Sequence, residues 1–135
     1  MGLDNLISNI QWIPVIVLTL FSFVLGFSWH QPFLFGKTWK KENNPDDVQL
    51  KINAPLIFGG TAAVHLMAMA GLSAVISGQG GLKGLLYGFL ISVFWVLPSM
   101  TGTYLFANRS VKLLAIDAGM YMALFSFSGF ILGIW

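Results

Sequence analysis

The chain contains no cysteine, and only 9% of its 135 residues are charged. Without cysteine there can be no disulfide bond, no thiol nucleophile and no iron–sulfur cluster held by thiolates. An average soluble domain carries about 25% charged residues, so this chain has too few for a surface that faces water. Instead, 56% of the residues are hydrophobic and 15% are aromatic. This composition is typical of a protein that lies within a lipid bilayer.

Long stretches without charge predict an all-α integral membrane protein with four transmembrane helices. The uncharged stretches run from Asn5 to Gly36, from Ile52 to Leu82, from Gly84 to Asn108 and from Ala118 to Trp135. Each holds the roughly 20 apolar residues that cross a bilayer. We place the spans at about 12–29, 55–77, 82–106 and 113–135, in an up-down bundle that forms a single domain over residues 1–135. The polar loop, about residues 30–53, is too short to enclose a core, which excludes a water-soluble catalytic domain.

The distribution of basic residues predicts how the spans are oriented. Six of the seven basic residues lie in the loops after the first and third spans, and one lies on the opposite side: Lys37, Lys40, Lys41, Lys51, Arg109 and Lys112 against Lys83. The positive-inside rule therefore places both basic loops in the cytoplasm and both termini outside, with the bacterial inner membrane as the expected location. The basic residues form no continuous stripe, so nucleic acid is not an expected partner.

The loop at residues 30–53 mixes aromatic and basic side chains. Lys37, Trp39, Lys40 and Lys41 follow the apolar residues 33–35 directly. Such a mixture favours the headgroup zone of a bilayer, and we expect part of this cytoplasmic loop to be amphipathic and to lie on the membrane surface. The lysines then either bind anionic lipid headgroups or only set the topology.

Small residues predict where the spans pack. The third span begins with Gly80, Gly84 and Gly88 at four-residue spacing, a pattern that lets membrane helices approach closely. The second span is also rich in glycine and alanine. Pro98 lies inside the third span and removes one backbone hydrogen bond, which predicts a kink there.

Three polar residues in or near the spans are candidates for chemistry. Asp117 is the only acid within a predicted span, and His65 lies close to the middle of the second span. Intramembrane ionisable residues are costly, so they mark functional sites by default. The alternatives are structural: Asp117 pairs with Arg109 or Lys112, and His65 makes an interhelical hydrogen bond. His30, at the end of the first span, is expected at the interface.

Motifs of metal sites, hydrolases and nucleotide-binding proteins are absent from the sequence. His30, His65 and Asp117 lack ligand spacing such as H-x-x-x-H, so no metal site is expected. No G-x-S-x-G elbow and no P-loop occurs. We therefore expect no catalytic residues and no cofactor.

The stretch GFSWHQPFLFGKTWKK resembles the signature of the DUF1761 family of small four-span membrane proteins. In that family the first span ends in the pattern G-x-x-W-Y-S-P-x-x-F-G-K-x-W, which matches Gly26, Trp29, Pro32, Phe35, Gly36, Lys37 and Trp39 of this chain. Where family members usually have Tyr-Ser before the proline, this chain has His30-Gln31. The segment NRSVKLLAIDAGMYMA also resembles the family's last helix. The resemblance implies a fold and a membrane location, and it implies no established activity.

Three functional hypotheses follow from these features. The first is a non-enzymatic membrane protein that works by association, as a homo-oligomer or as a small subunit of a complex, because nearly all residues are spent on the spans. The second is a small transporter or channel-like protein that uses His65 and Asp117. The third, a membrane-embedded enzyme acting on lipid, has the least support. A water-filled cavity that reaches both polar residues would favour the transporter.

Overall fold

The computed structural model describes residues 2–49 and 51–135, and every regular element in them is a helix. The elements in chain order are α1 (Leu3–Ser8), α2 (Trp12–Trp29), α3 (Gly36–Asn43), α4 (Ala54–Ile76), α5 (Gly81–Ile91), a π-helical turn (Ser92–Val96), α6 (Leu97–Phe106) and α7 (Val111–Ile134). The predicted all-α class is confirmed.

Four helices are long and apolar enough to cross a membrane. They are α2, α4, the continuous run of α5, the π-helical turn and α6, and α7, with mean hydropathies of 2.0, 1.6, 1.6 and 1.5. Even the shortest, α2, has 18 residues, which corresponds to about 27 Å at 1.5 Å per residue. The prediction of four spanning helices is confirmed, and their direction across a membrane stays a prediction.

Polar side chains start two of these helices. The side chain of Asn53 accepts a hydrogen bond from the backbone N–H of Leu56 over 3.2 Å at the start of α4. Ser110 caps α7 in the same way, accepting from Leu113 over 3.1 Å. Each cap satisfies one of the backbone donors that have no partner inside the helix. The polar residues before the apolar runs therefore determine where α4 and α7 begin.

The third span contains a π-helical turn shortly before Pro98. Ser92–Val96 form this turn directly before α6, and Pro98 occupies the first turn of α6. Proline has no N–H for the bond to the preceding turn, and a π-helical turn is one way a helix accommodates such a break. The π-helical turn thus lies on the N-terminal side of Pro98, and the kink stays a prediction. The Ser92 hydroxyl, which is buried, donates to the carbonyl of Gly88 over 2.8 Å.

Glycines bring α5 and α7 into backbone contact. A Cβ on Gly84 would overlap the carbonyl of Gly129, and one on Gly88 would overlap the carbonyl of Phe125. Gly80, with φ at +98°, donates its N–H to the carbonyl of Gly133 over 2.8 Å. Only glycine allows this separation, because any side chain would force the two helices apart. The structure therefore places all three glycines of the predicted packing motif against α7.

The core lies between α2, α4 and α7. Val15 and Leu18 of α2, Met69 and Ile76 of α4, and Leu124 of α7 are among its buried members. Directly before α2, the backbone N–H of Gln11 donates to the Ser73 hydroxyl over 2.9 Å. The start of α2 thus contacts the last part of α4. The polar site described below lies at the opposite end of α2.

Candidate functional site: the Asp117 cluster and the His65 cavity

A tight turn follows α2 and reverses the chain into α3. The backbone N–H groups of Leu34 and Gly36 both donate to the carbonyl of Gln31 over 3.0 Å. Gly36 is buried at the closest approach, where a Cβ would collide with the carbonyl oxygen of His30. Gly36 of the family signature is therefore needed for the turn itself, and the turn leads into α3, which packs against α7.

Two aromatic side chains of the signature fasten this turn to α7. The indole N–H of Trp29 donates to the carbonyl of Ile116 over 3.0 Å. The rings of Trp29 and Phe35 lie 4.9 Å apart, centroid to centroid. Aromatic pairs at this separation are favourable beyond the area they bury. As a result the start of α7, with Asp117, is held against the turn.

Asp117 accepts hydrogen bonds from three side chains on three different segments. Tyr104 in α6 donates its hydroxyl to Oδ2 over 2.5 Å. Trp39 in α3 donates its indole N–H to Oδ1 over 2.9 Å, and Nε2 of His30 lies 3.3 Å from the same oxygen. We call Asp117, Tyr104, Trp39 and His30 the Asp117 cluster. It joins α2, α3, α6 and α7 at one end of the molecule.

The two ring nitrogens of His30 have different hydrogen-bond partners. Its Nδ1 lies 2.7 Å from the carbonyl of Gly26, which can only accept, so Nδ1 carries a proton. The other ring nitrogen, Nε2, faces Oδ1 of Asp117, the oxygen that Trp39 also contacts. The ring of His30 therefore bridges the end of α2 and the start of α7.

Arg109 and Lys112, the basic residues expected to pair with Asp117, contact other residues. Arg109 donates to the side-chain oxygen of Asn43 over 3.1 Å, and its guanidinium lies 5.8 Å from the centre of the Tyr104 ring. Lys112 lies 3.9 Å from Glu42. Five residues along an α-helix correspond to a rotation of about 140°, so Lys112 and Asp117 lie on different sides of α7. The suggested pairing of Asp117 with Arg109 or Lys112 is replaced by the cluster described above.

The residues proposed for the lipid interface divide into two groups. Lys37, Lys40 and Lys41 are exposed on α3, and Lys40 lies 3.6 Å from Asp47. Trp39, in contrast, is half-buried, with its indole N–H on Asp117. The same short helix therefore presents lysines outward and a tryptophan to the cluster.

His65 lies in a second polar site, between α2 and α4. Its side chain is buried, with 7% exposure, and Nδ1 lies 2.7 Å from the hydroxyl of Ser22. Ser22 in turn donates to the carbonyl of Thr19 over 2.6 Å. The interhelical hydrogen bond expected of His65 is present, with Ser22 as its partner. Among the residues that the structure describes, Nε2 of His65 has no hydrogen-bond partner.

A cavity of about 270 Å³ connects the surroundings of the two histidines. Both His65 and His30 line it, together with Tyr121 of α7 and apolar side chains of α2 and α4. Asp117 is not part of the lining, and its contact with His30 links it to the cavity. Within residues 2–49 and 51–135, no three His, Asp or Glu side chains lie close enough together to hold a metal ion.

Tyr104 and Ser22 were not candidates from the sequence, and the contacts of His30 and Trp39 with Asp117 were not predicted either. Tyr104 lies near the end of the third span and Asp117 near the start of the fourth, with only a short loop between them. That proximity in the chain, at one end of two successive helices, was an available signal. Ser22 offered no comparable signal, because serines in membrane helices commonly bond to their own preceding turn.

The fold and the two sites define a small helical membrane protein with a polar cluster at one end and a histidine cavity between its helices. The family described as "Protein of unknown function (DUF1761)" matches residues 13–133, and the chain belongs to this family. No curated protein and no solved structure matches the chain. The resemblance that the signature around Trp29 indicates is thereby confirmed, and it assigns no process to the protein.

Proposed function

We propose that the protein is a non-enzymatic integral membrane protein that works by association with a second copy of itself. One observation carries the proposal: within residues 2–49 and 51–135, no atom lies near the position that a Cβ would take at the glycines of α4. A Cβ at Gly59, Gly60 or Gly71 would have nothing within 4 Å, whereas one at Gly84 would meet backbone. Glycine lowers helix stability relative to alanine, so unused glycines in a membrane helix favour close contact with another helix.

The proposed contact is the outward face of α4, formed by Gly60, Ala63, Met67 and Gly71. These residues repeat at intervals of three and four, which brings them onto one side of the helix. All four are exposed, Met67 by 74%. Membrane helices associate through small residues that let backbones approach, because lipid and apolar side chains are alike in polarity. A second α4 with the same face fits this surface.

Measurement of the oligomeric state in lipid tests the proposal. Single-molecule photobleaching of labelled protein in bilayers is expected to show dimers, and Gly60→Leu or Gly71→Leu should shift the population to monomers. Gly102→Leu is the matched control, since Gly102 in α6 is also open, and it should leave the dimer intact. A monomeric parent protein, or dimers that survive both α4 substitutions, would contradict the proposal. If a different protein is bound in every case instead of a second copy, the proposal changes to a hetero-complex.

We also propose the inner membrane, with the basic loops in the cytoplasm and both termini outside. Support comes from the contact between the two basic loops: Arg109 donates to Asn43, and Lys112 lies near Glu42. Lys83 follows Gly80, which bonds to Gly133 at the far end of α7. Arg109 and Lys112 therefore lie at one end of α7 and Lys83 near the other, which supports the orientation expected from the positive-inside rule.

A transporter or channel-like function is the second candidate, favoured by the cavity that reaches both His65 and His30. His30 lines this cavity and also contacts Asp117, and chains of polar groups of this kind serve as proton relays in membranes. The association proposal expects no proton or solute flux in liposomes, and it expects Asp117→Asn and His65→Ala to lower stability or assembly. If flux is observed and Asp117→Asn abolishes it while the protein stays folded, the transport proposal replaces the association proposal.

A further inference from the structure

The hydrogen-bond arrangement around His65 leaves one unused acceptor inside the protein. A hydroxyl group has a single proton, and Ser22 donates it to the carbonyl of Thr19. The contact between Ser22 and Nδ1 of His65 therefore uses the imidazole proton, so Nδ1–H donates. In the neutral ring Nε2 is then a bare acceptor. It is buried and has no partner among the residues that the structure describes.

The walls of the cavity that His65 lines are mostly apolar. Phe23 and Tyr121 flank the imidazole, with ring centroids 6.2 and 6.0 Å from it. Phe58 and Met120 line the same cavity of about 270 Å³. Sites for drug-sized ligands measure about 300–1,000 Å³ and combine apolar walls with a few polar groups that orient the ligand. This cavity therefore has the character of a ligand site for a smaller molecule.

The cavity opens on the outward surface of α2 and α4. Phe27 and Phe58 line it and are 72% and 62% exposed. Both belong to helices apolar enough to span a membrane, so their exposed surfaces face lipid tails when the protein is embedded. A ligand that dissolves in the bilayer reaches the cavity without crossing water.

We propose that this cavity binds a small apolar molecule with one hydroxyl group, a phenol or an alcohol, whose proton is donated to Nε2 of His65. The apolar body packs against the aromatic walls, and the hydroxyl satisfies the unused acceptor of His65. A ketone or an ether of the same shape lacks the donor and leaves Nε2 unpaired, which buried polar groups do not tolerate without cost. This donor requirement determines the chemical class of the ligand.

The site is independent of the proposed self-association. Thr61 and His65 line the cavity and lie one turn apart on α4, whereas Gly60, Met67 and Gly71 form the outward face. Substitutions on one side of the helix leave the other side unchanged. Loss of the dimer and loss of ligand binding are therefore separate results.

Nitrogen-15 NMR of the histidine rings tests the tautomer and the ligand directly. The chain has only two histidines, so the His65→Phe spectrum identifies both rings. We expect Nε2 of His65 to show the shift of an unprotonated nitrogen in the free protein. Addition of 2-naphthol should move that signal saturably toward the hydrogen-bonded position, and 2-methoxynaphthalene should not. A protonated Nε2, or equal responses to both compounds, would overturn the proposal.

Equilibrium binding of tritiated 2-naphthol provides the matched comparison of variants. The parent protein should prefer naphthol over its methyl ether by about two- to tenfold, the range of one net hydrogen bond. His65→Phe should bind both compounds equally, and Thr61→Val, which changes the same cavity from the same helix, should keep the preference. If Thr61→Val removes the preference and His65→Phe retains it, Nε2 is not the recognition group. If the parent protein shows no preference, the cavity does not select hydroxyl compounds.

Discussion

The indole N–H of Trp39 donates a hydrogen bond to Oδ1 of Asp117 over 2.9 Å, and this bond joins the short helix α3 to the start of α7. Residue 39 is the last aromatic of the family signature, and the sequence indicated a position among lipid headgroups for it. In the structure its ring also meets the ring of His30 edge to face, with centroids 5.0 Å apart. The last aromatic residue of the signature therefore attaches the short helix α3 to a carboxyl group near the start of α7.

Replacement of Trp39 by Phe should destabilise the protein. The change keeps an aromatic ring and removes one hydrogen bond to the carboxyl group of Asp117, a loss of about 1–2 kcal/mol in the free energy of unfolding. Reversible unfolding in mixed detergent measures it. Trp95→Phe is the control, because Trp95 is 66% exposed on the outer face of the π-helical turn. Equal effects of the two substitutions would contradict the role of the hydrogen bond.

Gly36→Ala should disrupt the turn after α2. The added Cβ would collide with the backbone of His30, so the turn must open and α3 must separate from Asp117. We expect a loss of at least about 2 kcal/mol, comparable to overpacking in a core, together with faster cleavage of residues 31–43 by protease. Gly59→Ala meets no atom within 4 Å and should change neither measurement. A Gly36→Ala protein as stable as the parent would show that the turn tolerates a side chain.

Gly84→Leu should be among the most damaging substitutions in a spanning helix. The backbone of Gly129 occupies the position of the new Cβ, so α5 and α7 must separate along their length. The expected loss is about 3 kcal/mol or more, measured by unfolding in detergent. Gly102→Leu, in an open position of α6, serves as control and should cost far less. Unchanged stability of Gly84→Leu would mean that the two helices are not in contact.

The proposed orientation is tested by labelling from either side of the membrane. Single cysteines at Ser8 and at Asp46, both exposed, can be introduced without background because the chain has no cysteine. An impermeant reagent should label Ser8→Cys in intact cells and Asp46→Cys only in inverted vesicles. Asp46 is a better position than the nearby Asn44, because the side chain of Asn44 forms hydrogen bonds to the backbone of Val48. Labelling of both cysteines from one side would contradict the four-span topology.

Much of the fold could be predicted because its signals are local in the chain. Hydropathy over about 20 residues reports whether a helix can cross a bilayer, since each residue contributes independently of its distant neighbours. Four spanning helices followed from this property alone. The spacing of Gly84 and Gly88 likewise predicted a packing face, because residues four apart lie on one side of a helix. The partner of that face, the backbone of α7, was not contained in the spacing.

The sequence by itself therefore determined the class, the four apolar helices, the family and the residues whose polarity needs an explanation. Only the tertiary structure decided the partners of those residues. Asp117 accepts from Tyr104, Trp39 and His30, and His65 meets Ser22, although these pairs lie 13 to 87 residues apart. A hydrogen bond depends on distances of about 3 Å and on direction. Composition and periodicity carry no such information between helices, since the rotation of each helix about its axis is determined by packing.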